Sequence, residues 1–229
     1  MDQYLDYAMG YNPSNRMPFC VKPKDKLSVK DVADMMRDHY EGTPMDMTTD
    51  IGAGGHALPY RWRPMSFKVG DKTYMNERAI ATQQTGWWYV GQCRSWLPSD
   101  LGGLFWFGVD DAATSPLIPI YSASLRVPEC IKEGNGSMIE YSETSLFWIV
   151  NRVCQFAYLR YNQIGTEVRG IVDAIENKAI EKVTTIDEQA VAMYRKDPAA
   201  AREYLTDFSV NSAQSLFNDW VALDKYLMV

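Results

Sequence analysis

Histidine is nearly absent: His39 and His56 are the only two in 229 residues. Neither stands at a spacing that metal sites use, so no metal centre is expected on them. Basic runs are missing as well, and the formal net charge is −6. Phosphate backbones are held by clustered Lys and Arg, so this balance excludes a nucleic-acid partner. Long apolar runs are also missing. The longest, Ser145 to Tyr161, is interrupted by Asn151, Arg152, Gln155 and Arg160, and a membrane-spanning helix needs roughly 18 uninterrupted residues. No membrane partner is expected. Met1 to Asn15 has neither the basic start nor the apolar stretch of a secretory leader. The four cysteines, Cys20, Cys93, Cys130 and Cys154, lie tens of residues apart. That spacing excludes a metal finger and predicts free thiols, some of them buried. A nucleophile elbow and a zinc-protease helix are both lacking. Gly52-Ala53-Gly54-Gly55 has no strand before it and no helix after it, so it reads as a turn rather than a phosphate cradle. No cofactor is expected.

The hydrophobic fraction of 46% and charged fraction of 23% are those of an ordinary globular chain, long enough to bury a core. Prolines 13, 18 and 23 make residues 1–27 irregular. Ser28 caps a helix, with Asp31 three residues on and Val29, Val32, Ala33, Met36 and Tyr40 at helical spacing. Thr43 to Arg63 is a long loop, and loops of that length inside a domain are usually functional. From Lys72 the period changes to two: Arg78, Ile80, Thr82 and Gln84 fall on one strand face, and Ala79, Ala81, Gln83 and Thr85 on the other. Further strands are predicted at Trp87–Trp96, Leu104–Val109 and Leu117–Ser122, joined by short turns as an antiparallel meander. Several are apolar on both faces, which predicts cover on both sides. Ser142 or Thr144 caps a helix with Leu146, Ile149, Val150, Val153, Cys154, Ala157, Tyr158 and Tyr161 on its apolar stripe. Gly165 breaks or bends it. Val168–Val183 continues with helical spacing, Ile186–Arg195 and Ala199–Phe208 make one or two more helices around Pro198, and Ser212–Tyr226 forms a last one. A strand run followed by a helix run is the order of an α+β fold. One domain over 1–229 is expected, with helix and loops in 1–70, antiparallel strands in 71–125 and helices in 142–229.

Chemistry-bearing residues are few. Arg78, Thr82 and Gln84 lie on one predicted strand, and Gln92 and Arg94 on the next, beside Trp88. Polar groups on central strands are costly unless satisfied, so they line either a site or a solvent face. Arginine forks suit substrate carboxylates. Asp110-Asp111 follows a strand, where carboxylates bind a metal or an amine, or simply cap a turn. The aromatic run Trp87, Trp88, Trp96, Phe105, Trp106 and Phe107 reads as core.

Several segments resemble the dipeptidase A and secernin family of N-terminal-nucleophile (Ntn) cysteine peptidases. They are Arg37-Asp38-His39-Tyr40-Glu41-Gly42-Thr43, Tyr60-Arg61-Trp62-Arg63-Pro64, Asn76-Glu77-Arg78 running to Gly86, Trp106-Phe107-Gly108-Val109-Asp110-Asp111-Ala112, and Phe147-Trp148-Ile149-Val150-Asn151 running on to Tyr158-Leu159-Arg160-Tyr161. They stand in the family's order and cover most of residues 16–165. The resemblance implies an αββα sandwich, two antiparallel sheets between helical layers. It also implies dipeptide hydrolysis by a mature N-terminal cysteine, whose thiol attacks the amide while its own α-amine acts as base. An α-amine suits that role because its pKa lies near neutrality.

The sequence departs from the family at the nucleophile. It opens Met1-Asp2, and the only early cysteine, Cys20, is followed by Val21-Lys22-Pro23-Lys24. Proline there argues against a central strand. The chain is therefore expected to be the C-terminal portion of a dipeptidase without its nucleophile: a domain fragment, a split product or a degenerate relative. The alternative is a non-catalytic binding or structural module that retains the fold. A third reading is a metal-dependent amidase built on Asp110, Asp111 and His56. In the peptidase reading Asn76, Arg78, Gln84, Gln92 and Arg94 form the substrate pocket, asparagine donating to an oxyanion and arginine holding the dipeptide carboxylate. A sheet edge left uncovered predicts homo-oligomerisation.

Overall fold

The computed structural model describes residues 2–9, 11–12, 14–60, 66–75 and 78–229. The first helix, α1 (Val29–Met36), starts where expected. The Ser28 hydroxyl accepts from the Asp31 amide, and the Asp31 carboxylate accepts from the Ser28 amide, a reciprocal cap. Two strands, β1 (Ser66–Val69) and β2 (Lys72–Met75), form a separate antiparallel hairpin. The main sheet is the meander β3 (Trp87–Cys93), β4 (Gly103–Val109) and β5 (Ile118–Tyr121), in that spatial order and antiparallel throughout. Then come α2 (Leu146–Leu159), a π-turn over Tyr161–Gly165, and two long helices, α3 (Thr166–Tyr194) and α4 (Pro198–Leu227). Short helical turns occupy Asp2–Tyr4, Leu5–Ala8, Ile51–His56, Ser99–Gly102 and Glu129–Ile131. The chain is thus α+β, with antiparallel strands packed against helices.

Four local expectations are corrected. Residues 78–86 are not a strand. Their amides turn to nearby loops: the Ala81 amide donates to the Asp38 carbonyl and the Thr85 amide to the Thr82 carbonyl. The alternation there comes from small Ala79 and Ala81, buried beneath exposed Arg78 and Ile80. The helices expected over Val168–Val183 and Ile186–Arg195 are one helix of 29 residues, about 43 Å long at 1.5 Å per residue. Those expected either side of Ser209 are likewise one. Thr206, Ser209 and Ser212 each donate their hydroxyl to the carbonyl four residues earlier, so these polar residues are satisfied inside α4 and do not interrupt it. The expected caps Ser142 and Thr144 precede the actual N-cap of α2, Ser145, whose side chain makes no capping bond.

The helices cover one face of the main sheet. Trp88, Val90, Leu104, Trp106 and Tyr121 pack there against Val183, Ile186 and Ala190 of α3 and Ala201, Leu205 and Phe208 of α4. A second cluster joins α2 to the first turns of α3 and the end of α4 around Trp220, reaching Val109 and Ile118 at one end of the sheet. The opposite sheet face carries a ladder of stacked rings, Trp87–Tyr89–Phe105–Phe107, with centroids 4.5–5.9 Å apart. Trp87 is 61% exposed and Tyr89 49%. Cover on both faces was expected: the aromatic face is exposed at Trp87 and Tyr89, while Val109 and Ile118 on that same face are buried by the second cluster.

A buried ion pair ties these layers together. The Arg37 guanidinium donates to both carboxylate oxygens of Glu176 on α3 and to the carbonyls of Ala112 and Ser115, and lies 4.8 Å from the Trp88 ring centre. Glu176 also accepts from the Leu117 amide. Burying such charges is costly unless every polar atom is matched, as it is here.

Candidate functional site

The segments singled out in the sequence, hundreds of ångströms of chain if extended, come together at the end of β4. Arg37 reaches Ala112, and the Ala81 amide reaches Asp38. The Tyr40 hydroxyl donates to the Arg78 carbonyl at 2.8 Å, and Tyr60 stands edge-on to Tyr158. The Asp110 amide donates to the Gly86 carbonyl at 2.9 Å.

At the centre lies a buried polar cluster. Asp110 leaves β4 with φ +64°, a left-handed conformation that side chains other than glycine seldom adopt. Burial pushes its carboxyl up to about 7, helped by the neighbouring Asp111 charge and opposed by a hydrogen bond from Asn151 of α2. Asp111 is fully buried and accepts from the Thr114 hydroxyl at 3.1 Å and the Tyr158 hydroxyl at 3.2 Å. Burial raises its carboxyl too, while the nearby His39 lowers it. His39 is 1% exposed. Its Nδ1 lies 3.0 Å from Glu41 and 3.5 Å from the Tyr161 hydroxyl, and its ring meets Tyr161 edge-on. Burial pushes Glu41 up, yet hydrogen bonds from the His39 ring and amide hold it below the usual carboxylate range. The Tyr158 and Tyr161 phenols are driven upward by burial and by Asp111. Among the described residues, three atoms of this cluster are buried without a hydrogen-bond partner: His39 Nε2, Asp110 Oδ2 and Asp111 Oδ1. Unpaired buried polar atoms cost roughly 1–3 kcal/mol each. A strained backbone, orphaned polar atoms and a carboxyl poised near neutrality are found together at functional sites.

The residues expected to form the pocket divide into two places. Asn76 lies outside the described residues. Arg78 and Gln84 meet, the guanidinium donating to the amide oxygen at 2.8 Å on the exposed rim of a crevice shared with Tyr60 and Thr82. Gln92 and Arg94 lie elsewhere, on the helix-covered face. Gln92 accepts from the Trp106 indole at 3.1 Å. Arg94 is buried and spends its donors on the Leu101 and Gly102 carbonyls and on Asp187. Its guanidinium is an architectural brace at the turn between β3 and β4. His39, Glu41, Tyr158 and Tyr161 were not among the expected pocket residues. Their signal was their place within the resembling segments, and for Tyr158 and Tyr161 a polar tip on an apolar stripe. His56 ends the exposed turn Ile51–His56, and among the described residues no group of three His, Cys, Asp or Glu side chains is placed to hold a metal. The amidase reading on Asp110, Asp111 and His56 has no donor set.

Comparison with known proteins agrees with this gathering of segments. The model for Peptidase family C69 matches residues 2–174. The chain belongs to peptidase family C69. Relatives include a probable dipeptidase B from Streptococcus pyogenes serotype M1, 20% identical over 205 residues, which span 88% of this chain and 38% of the relative. A probable dipeptidase A from Streptococcus pyogenes serotype M3 (strain SSI-1) is 19% identical over 95% of this chain and 43% of its own length. Dipeptidase A of Lactobacillus helveticus is 20% identical over 81% and 34%. The C69 chain therefore spans well under half the length of these curated relatives. Its cysteines fall into two kinds. Cys130 and Cys154 are buried, and burial pushes the Cys130 thiol up to about 11 and the Cys154 thiol higher still. Such thiols stay protonated and unreactive. Cys20 and Cys93 are exposed, one in an irregular segment and the other at the end of β3.

Proposed function

We propose that this C69 chain is the substrate-holding part of a dipeptidase whose nucleophilic thiol is supplied from polypeptide beyond residues 1–229. The observation that carries the reading is the gathering of the resembling segments around the Asp110–Asp111–His39 cluster. The names of the relatives point to dipeptides as substrate. The state of the cysteines supports an external nucleophile: two thiols are buried in their protonated form, and neither exposed one opens a strand. The exposed Tyr89 part of the aromatic face suits the second sheet of an Ntn sandwich, and the edge of β3, which pairs with no further strand among the described residues, suits a further strand or a second copy of the chain.

In this reading Arg78 and Gln84, on the loop anchored by Asp38 and Tyr40, face the polar backbone of the dipeptide, and Asn76 keeps the role its place in the sequence gives it. Arg94 acts only through the fold, and Gln92 through Trp106. The buried cluster fixes the 78–86 loop and keeps one carboxyl, Asp110, able to hold or release a proton near neutral pH. Amide resonances of Arg78–Gly86 and Tyr158–Tyr161, followed while a dipeptide is titrated into the chain, test the assignment. A saturable shift in both segments is expected, weakened by Arg78→Ala. Shifts confined to other regions, or a response unchanged by Arg78→Ala, contradict it and favour a module that keeps the fold without handling dipeptides.

A further inference from the structure

A cavity of about 510 Å³ opens between the aromatic face of the main sheet and the segment 130–147. Trp87, Phe107, Val109, Ile131, Met138 and Phe147 make its wall apolar. That volume lies within the roughly 300–1,000 Å³ of small-molecule sites. Gly86 is part of the lining, and its carbonyl anchors the Asp110 amide, so the cavity adjoins the polar cluster through the end of the 78–86 loop. Among its lining residues Lys132 is the one charged side chain, and no Asp or Glu is part of the lining, although acidic residues outnumber basic ones by 29 to 23 in the whole chain. The Lys132 side chain is 59% exposed, and among the described residues its ion pair is one of 3.4 Å to Glu129 at the surface, the kind of contact that is cheap to exchange. An apolar cavity whose lining holds one cation and no acid complements an apolar body carrying one negative charge, which would take Lys132 over from Glu129.

We propose that this cavity receives the apolar side chain of a peptide's C-terminal residue, with the free carboxylate paired to Lys132. The proposal rests on the dipeptidase reading and gives it a specificity: bulky, uncharged C-terminal residues. It also names the carboxylate-holding cation, a role that Arg94 cannot fill because its guanidinium is built into the fold. A larger cavity, about 650 Å³ beside Trp96 and α3, is a poorer match. Acids and bases are mixed in its lining, with Asp187 and Glu188 among Lys30, Arg94 and Arg195.

The test follows the Trp87 indole resonance during titration with N-acetylphenylalanine, its carboxamide and N-acetylalanine. The expected result is saturable binding of N-acetylphenylalanine at Trp87, at least about fivefold weaker for the carboxamide and weaker again for N-acetylalanine. In Lys132→Gln, an exposed position where folding is not at risk, the gap between acid and carboxamide closes. A silent Trp87, a response at Trp96 instead, equal affinity for acid and carboxamide, or a gap that survives Lys132→Gln overturns the proposal. None of these probes is a dipeptide, so the two readings fail separately. Dipeptides that shift Arg78–Gly86 while Trp87 stays silent remove the cavity assignment alone. The expected Trp87 response without any dipeptide effect on 78–86 removes the dipeptidase reading and leaves the ligand class of the cavity.

Discussion

Asp110 combines a left-handed backbone, a buried carboxyl and an unpaired oxygen. Its carboxyl titrates at about 7 in the folded chain, against about 3.9 when unfolded. Between those values the folded form holds a proton that the unfolded chain has released. Its contribution to stability is therefore fullest at acid pH, falls as the pH rises from about 4 to about 7, and is flat above, a loss of a few kcal/mol. Asn tolerates the left-handed region and stays uncharged. Asp110→Asn is expected to raise the Tm above pH 7, with the advantage shrinking towards pH 4. Two parallel Tm–pH curves would show that Asp110 is not the titrating group. In the sequence Asp110-Asp111 read as a pair of strand-end carboxylates of open purpose, and the structure confirms the strand end. What the sequence left out was desolvation, which depends on α2 and the 112–117 loop closing over the pair. The same limit applied to Arg94. Its type and strand position suggested a carboxylate ligand, while its partners, two carbonyls and Asp187, are set by a turn and a helix 93 residues away.

At the scale of elements, local signals were legible wherever local physics decides. The Ser28–Asp31 cap, the β3–β4–β5 meander and the break near Gly165 are all where the pattern put them. The signals misled where neighbours decide. Alternation over 78–86 looked like a strand, yet among the described residues no partner strand receives its hydrogen bonds. The join of β3 to β4 depends on a missing side chain. A Cβ at Gly108 would stand 2.5 Å from the Trp88 indole nitrogen, which donates to Ser115 in the loop carrying the cluster. Gly108→Ala is expected to cost about 1–3 kcal/mol by overpacking, seen as a lower midpoint in urea unfolding. Gly170→Ala, on an exposed turn of α3 with nothing within 4 Å of the added carbon, is expected to stabilise by up to about 1 kcal/mol. Equal effects at the two sites would mean that the Trp88 approach is not tight.

Across the whole molecule, family membership was legible because the resembling segments keep their order, and the structure supplies the reason they belong together: their described residues meet at and around one polar cluster at the end of β4. The half-covered sheet was not legible. Apolar residues on both faces of β3 and β4 announce that both faces are buried somewhere, and say nothing about which chain buries them. Helices α3 and α4 cover one face here, and the Tyr89–Phe105 part of the ladder is what the proposed second sheet would cover. Amine release from a panel of dipeptides, by the purified chain and by its Cys20→Ala variant, tests the central claim directly. No release by either protein is the predicted result. Turnover by the chain that disappears in Cys20→Ala would place the nucleophile within residues 1–229 and contradict the account.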